Sequence, residues 1–138
     1  MSFEALMDRI DAKMMANRRP EKEVLSAEEY SILIVWNFAV SVGDTGIYEY
    51  IYNENPDLFQ DIVAGLRIVE AVDMANLVAD YLANDKEHYE QVYAGEVKFG
   101  PSRDYEAEIA AIVRNDGDDL ELYFRNLLEE FARSKGMM

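Results

Sequence analysis

Ser26-Ala27-Glu28-Glu29 opens a largely apolar run from Tyr30 to Val42, and this junction constrains the fold more than any other feature of the chain. A serine followed three residues later by glutamate makes a capping box. The hydroxyl accepts from the backbone of Glu29, while the Glu29 carboxylate reaches back to the amide of Ser26. The Ile32-Leu33-Ile34-Val35 core of the run has the composition of a buried strand. Its length and its cap favour a helix, and a helix apolar on nearly every face lies in the middle of a bundle. Trp36 is then a core residue.

The rest of the chain supplies helices to surround it. Phe3, Leu6, Met7, Ile10 and Met14 form a stripe on a helix over 3–16 that Ser2 can cap, and Asn17 to Glu23, with Pro20, connects it onward. Gly43-Asp44-Thr45-Gly46 is a turn before a short helical segment from Ile47 to Tyr52. Asn55-Pro56-Asp57 is a helix start with cap, proline and first-turn acid in order. The helix it opens ends near Ala71, and Asp73 can cap the next. Further helices are expected around Lys86–Tyr93, after a Ser102 cap, and from Leu120 onward, with a loop at Gly95 to Pro101 and a break at Asn115-Asp116-Gly117-Asp118. No segment alternates with period two. The expected fold is an all-α, single-domain bundle of six or seven helices around a buried central helix at about 26–42, with residues 1–138 forming one unit.

Charge divides that unit unevenly. Of 28 acids and 13 bases, residues 1–22 hold four acids (Glu4, Asp8, Asp11, Glu21) and five bases (Arg9, Lys13, Arg18, Arg19, Lys22). This near-neutral segment carries +1, so the acidic body from 23 to 138 carries −16 of the net −15. No base lies between Lys22 and Arg67. Such a balance is a poor match for nucleic acid or an anionic membrane and steers a protein toward basic partners. Met1-Ser2-Phe3-Glu4 carries acid where a signal peptide would carry base, and cysteine is absent. These features point to a cytoplasmic protein of bacterial type.

Nothing in the chain calls for a metal or cofactor, and the reading is non-catalytic. There is no phosphate loop, nucleophile elbow or zinc-binding His pair, and His88 is the only histidine. Asp116-Gly117-Asp118-Asp119 lacks calcium-loop spacing, since Leu120 and Glu121 fall where an oxygen ligand and a glycine belong. Glu121, Arg125, Glu129 and Arg133 stand at i, i+4 spacing and are expected to neutralise one another. Glu49, Glu54, Asp57, Asp61, Asp73 and Asp80 have no such neighbours and are the candidate partner-binding residues. Asn76 and Asn84 share the stripe of Asp73 and Asp80, which Glu87 joins if the helix continues. Crowding of these carboxylates is expected to raise their pKa values. Tyr48, Tyr50 and Tyr52 cannot all face one core, so at least one phenol is expected at the surface.

The stretch from Leu25 to Ala83 resembles a bacterial family of otherwise unknown function with a DNA-mimic member. The resemblance lies in Glu29-Tyr30, Trp36, Gly43-Asp44-Thr45-Gly46-Ile47, Tyr50 and Asn53, and later in Asp118-Asp119-Leu120. Thr45-Gly46 stands in place of two glycines, and Ile47 in place of an aromatic residue. The resemblance implies an all-helical fold and an acidic face that occupies the nucleic-acid-binding surface of a basic partner, such as a transcription regulator or nuclease. It implies no catalytic residue. An immunity-type inhibitor of a cationic toxin shares these electrostatics, and a structural interaction module without mimicry is the third reading. A homodimer is compatible with all three.

Overall fold

The computed structural model describes residues 1–17, 21–95, 103–117 and 119–138. Its helices are α1 (Phe3–Asn17), α2 (Glu21–Val24), α3 (Ala27–Thr45), α4 (Ile47–Asn53), α5 (Phe59–Ile68), α6 (Val72–Asp80), α7 (Lys86–Tyr93), α8 (Tyr105–Ile112) and α9 (Leu120–Ser134). The fold is all-α, with no strand among the described residues. α2 is a single turn, and α6 and α7 join through a π-helical turn at Tyr81–Asp85 into one rod. No single helix among the described residues is long and apolar enough to cross a membrane.

α3 is the central helix. Its capping box forms as the sequence dictates: Ser26 Oγ accepts from the Glu29 amide at 3.1 Å, and Glu29 Oε1 accepts from the Ser26 amide at 3.0 Å. Ile32, Val35, Phe38 and Ala39 are fully buried between α5 and α9, and α1 closes a further side with Phe3, Leu6 and Ile10. Trp36 is half-buried rather than enclosed, its ring meeting Phe3 edge-on at 5.0 Å. Gly65 marks the closest crossing of α5 over α3. A Cβ there would stand 2.9 Å from Ile34 Cγ2 and 3.3 Å from Val35 Cγ2, closer than packed atoms tolerate.

α3 stops at Gly46, whose φ of +86° lets the chain swing so that α4 leaves at 118° to α3. Asn55 caps a 3₁₀ turn at Pro56–Leu58, and α5 follows only from Phe59. α6 begins at Val72 after Ala71, so Asp73 lies within its first turn and does not cap it. The Ser102 cap lies outside the described residues, as does most of the loop at Gly95 to Pro101, and Asp104 caps α8 by accepting from the Ala107 amide at 3.0 Å. Asp119 caps α9 likewise, on Leu122.

The π turn was not expected, and it re-aims the second half of its rod. Asp80 and Asp85 are five positions apart, yet both face the start of α8. Asp80 pairs with Arg103 at 3.0 Å, and Asp85 accepts from the Tyr105 hydroxyl. A wider turn brings residues five apart into line. Asp85 therefore takes the place the expected stripe gave to Asn84. Tyr89, further along, stacks on Tyr48 at 3.9 Å between ring centroids, within a cluster completed by Tyr81 and Tyr105.

Candidate partner-binding surface

The six acids singled out in the sequence do not share one face. Asp61 is met by Lys22 at 2.7 Å and by the Tyr30 hydroxyl at 2.9 Å. Asp80 is met by Arg103, which also holds Glu108 at 2.6 Å. Neither is uncompensated, because helices distant in sequence bring the bases to them. Asp57 is exposed at the start of the 3₁₀ turn. Asp73 is exposed on a cleft of about 320 Å³ that it shares with Asp80, Arg103 and Glu108.

Glu49 and Glu54 are brought together. They line a cleft of about 300 Å³ between the end of α3 and α4, along with Asp44, Thr45 and Asn53. Asp44 and Glu49 are exposed, and none of the three carboxylates has an ion pair among the described residues. Glu54 Oε1 accepts from the Asn55 amide at 2.9 Å. Tyr50 is buried beside it, and its phenol pKa is raised, by burial first and then by the Glu54 carboxylate.

A second cleft, of about 480 Å³, adjoins the first across the Gly43-Asp44 step and is lined by Glu106, Asp119 and Glu121 above an apolar floor of Val42, Ile109, Val113 and Leu120. Glu106 Oε1 accepts from the Ile47 amide at 2.7 Å, fastening α8 to the start of α4. Gly46 permits that approach, since a Cβ there would come within 2.8 Å of the same oxygen. Glu121 is exposed and unpaired among the described residues, contrary to the expected pairing with Arg125. Arg125 turns instead to Glu4 on α1 and to Glu129 at 3.3 Å, with its guanidinium 5.6 Å from the centre of the Phe3 ring. Glu129 takes Arg133 as well, at 3.5 Å, so Glu129 is the compensated acid of α9.

The end of the bundle where α3, α4, α8 and α9 meet thus carries Asp44, Glu49, Glu54, Glu106, Asp119 and Glu121 on two adjoining clefts, with no lysine or arginine of the described residues lining either. Four of these were not among the sequence candidates. A signal for them existed in the parallel starts Asp104-Tyr105-Glu106 and Asp119-Leu120-Glu121, each a cap followed two residues later by glutamate. Acids in a first turn also meet the positive end of the helix dipole, so part of this charge is offset locally.

Ion-paired carboxylates outside the six candidates are lowered: Glu108 through hydrogen bonds from Arg103, and Glu4 through a backbone hydrogen bond first and then Arg125. Glu29 is buried, which opposes its charge, yet hydrogen bonds from Lys13 at 2.6 Å and from Ser26 outweigh that burial. The tyrosines divide as three phenols in five residues require. Tyr50 is buried, Tyr48 packs in the aromatic cluster, and Tyr52 is the exposed one at 47%. Among the described residues no three acidic or imidazole groups are placed to hold a metal ion.

The sequence model of one family, described as DMP19-like protein, matches residues 23–135. The match takes in every helix from α3 to α9 and leaves α1 outside. No curated protein and no solved structure gives a significant match.

Proposed function

The chain belongs to the DMP19-like family of DNA-mimic proteins, and from that premise we propose that it is a non-catalytic binding protein whose acidic end occupies the nucleic-acid-binding surface of a basic partner, such as a transcription regulator. The observation that carries the reading is the pair of adjoining clefts lined by Asp44, Glu49, Glu54, Glu106, Asp119 and Glu121 without a base among the described residues. Carboxylates held on helix ends present fixed negative charge at short intervals, as a duplex does with one phosphate about every 3.4 Å per strand. Of the six acids read from the sequence, Glu49 and Glu54 belong to this surface. Asp57 and Asp73 contribute charge from outside it. Asp61 and Asp80 are largely spent on Lys22 and Arg103.

The test begins with a partner captured from cell extract at low salt and released at high salt. Asp44→Asn, Glu49→Gln, Glu54→Gln and Glu121→Gln together preserve shape and remove four charges. They are expected to slow association at least tenfold, whereas Asp61→Asn with Asp80→Asn changes it less than twofold. Duplex DNA is expected to compete for the same partner. A partner that holds this protein and duplex DNA at once, at undiminished affinity, rules mimicry out. Duplex competition also separates this reading from an immunity-type inhibitor of a toxin that attacks something other than nucleic acid.

A further inference from the structure

One face of the molecule has the opposite chemistry to the acidic end. Between α5 and the α6 rod runs an open groove of about 500 Å³, walled by Phe59, Val63 and Ala64 on one side and by Ala79, Leu82 and Ala83 on the other. Leu82 and Ala83 belong to the π turn, so the local widening of the rod shapes this wall. Among the described residues no carboxylate lines the groove.

The charges of these two helices are sorted about it. Asp61 of α5 turns to Lys22 and Tyr30, and Asp80 of α6 turns to Arg103, just ahead of α8. Asp73 lies on the cleft beside Asp80. Arg67, in contrast, lines the groove near the end of α5 and is held by Asn76 at 3.0 Å. Lys86 lies at the other end, its ammonium 5.4 Å from the centre of the Phe59 ring and paired with Glu90. Glu87 on α7 is the nearby exposed acid of that end. In a chain with 28 acids and 13 bases, an apolar groove whose one charged lining residue among those described is Arg67 is a local reversal.

We infer that the groove between α5 and α6 is a docking surface for an amphipathic helix of a partner protein, one that carries an apolar stripe flanked by carboxylates. Three alanines along the walls let a helix axis approach closely, and Phe59, Val63 and Leu82 offer the apolar contact that anchors such helices. Phe59 and Arg67 are eight residues apart on one helix, about 12 Å along its axis, so the flanking carboxylates of the guest stand roughly two turns apart. Charge complementarity sets the polarity of the guest: a carboxylate at one end meets Arg67, which has no ion pair among the described residues, and a carboxylate at the other end competes with Glu90 for Lys86. A second copy of this chain is the disfavoured occupant, because it would bring −15 against −15. The groove is independent of the acidic clefts, and its salt dependence has the opposite sign. The net charge of the protein slows the approach of an acidic guest at low salt, so added salt speeds association here and slows it at the acidic end.

The probes are two synthetic helical peptides with the same leucine stripe, one flanked by glutamates two turns apart and the other by lysines, titrated into the full chain by fluorescence anisotropy. The glutamate peptide is expected to bind at least about tenfold tighter than its lysine twin, with association accelerated by salt. Ala64→Arg, at an exposed position, is expected to abolish that binding, and Arg67→Glu to reverse the preference between the two peptides. Glu49→Gln and Glu54→Gln leave it unchanged, and Ala64→Arg leaves duplex competition for the basic partner unchanged, so the two surfaces fail separately. Binding of neither peptide, or tighter binding of the lysine peptide in a manner blind to Ala64→Arg, overturns the inference. So does a concentration-dependent dimer in sedimentation that Ala64→Arg dissolves, since the occupant would then be a second copy.

Discussion

Glu70 offers a stability test whose sign and size follow from backbone geometry. It is the one non-glycine residue with positive φ among the described residues, at +68°, just past the end of α5. Its amide donates to the Arg67 carbonyl at 3.0 Å, and the next amide, of Ala71, donates to the Leu66 carbonyl at 2.8 Å. Those two bonds are the helix-ending pattern in which glycine is the usual residue. A side chain in the left-handed region costs about 1–2 kcal/mol, while glycine in the unfolded chain takes back about 0.5–1 kcal/mol. Glu70→Gly is therefore expected to stabilise by about 0.5–1 kcal/mol, near 2–4 °C in Tm for a chain of this size. Among the described residues no hydrogen bond or ion pair is lost, since the Glu70 side chain is exposed and shares its small cleft with another acid, Glu130. Urea and thermal melts followed by circular dichroism should rank Glu70→Gly above Glu70→Asn, which tolerates the same conformation less well, and both above Glu70→Gln. The glutamine variant isolates the charge. If it gains as much as the glycine variant, repulsion and not backbone strain is the cause, and the reasoning fails.

Two further expectations concern pH. The native pKa of Glu29 lies below its unfolded value, so the folded state binds fewer protons. Its contribution is present above about pH 4.3 and is lost as pH falls through the native value. Glu29→Gln should cost about 1–3 kcal/mol at neutral pH and flatten the acid limb of the stability profile; a variant with an unchanged acid limb would show that Lys13 and Ser26 do not hold the charge. At the other extreme, Tyr48, Tyr50 and Tyr105 are raised, each by burial first and then by Tyr89, Glu54 and Asp85 respectively, so the native state keeps protons that the unfolded chain releases above about pH 10. Stability should therefore fall as pH rises past that value, and phenolate absorbance should show these three of the nine tyrosines ionising only as helix is lost. Reversible titration of all nine with helix intact would contradict the packing of the cluster.

The helices that carry local signals were legible without a structure. Ser26 and Glu29 are sufficient to start α3 where it starts, and Lys86–Tyr93 is helical as its pattern suggests. The failures are of another kind. An N-cap on Asp73 and a regular helix past Asp80 were both reasonable on local propensity. What overrides the regular helix is tertiary: Asp85 has a partner in Tyr105, Tyr89 has one in Tyr48, and a wider turn satisfies both. Nothing local to α5 accounts for Gly65, whose role lies in the approach of Ile34 and Val35 from α3.

The candidate site was half legible for a reason that applies to any chain this short of bases. Lys13, Lys22, Arg103 and Arg125 each bridge two helices: α1 to α3, α2 to α5, α8 to α6, and α9 to α1. Each exposed pair is worth little to stability, about 0–1 kcal/mol, but each removes an acid from the outward field. Sequence spacing identifies which acids lack a basic neighbour within one helix. It is silent on which of them a base reaches from another helix, and so it placed Asp61 and Asp80 among the free acids and Glu121 among the paired. Once the bridges are drawn, no lysine or arginine of the described residues lines the clefts where α3, α4, α8 and α9 meet. The acidic surface is thus defined by where the few cations go, and a change that moved one of them there would alter it as surely as removing a carboxylate.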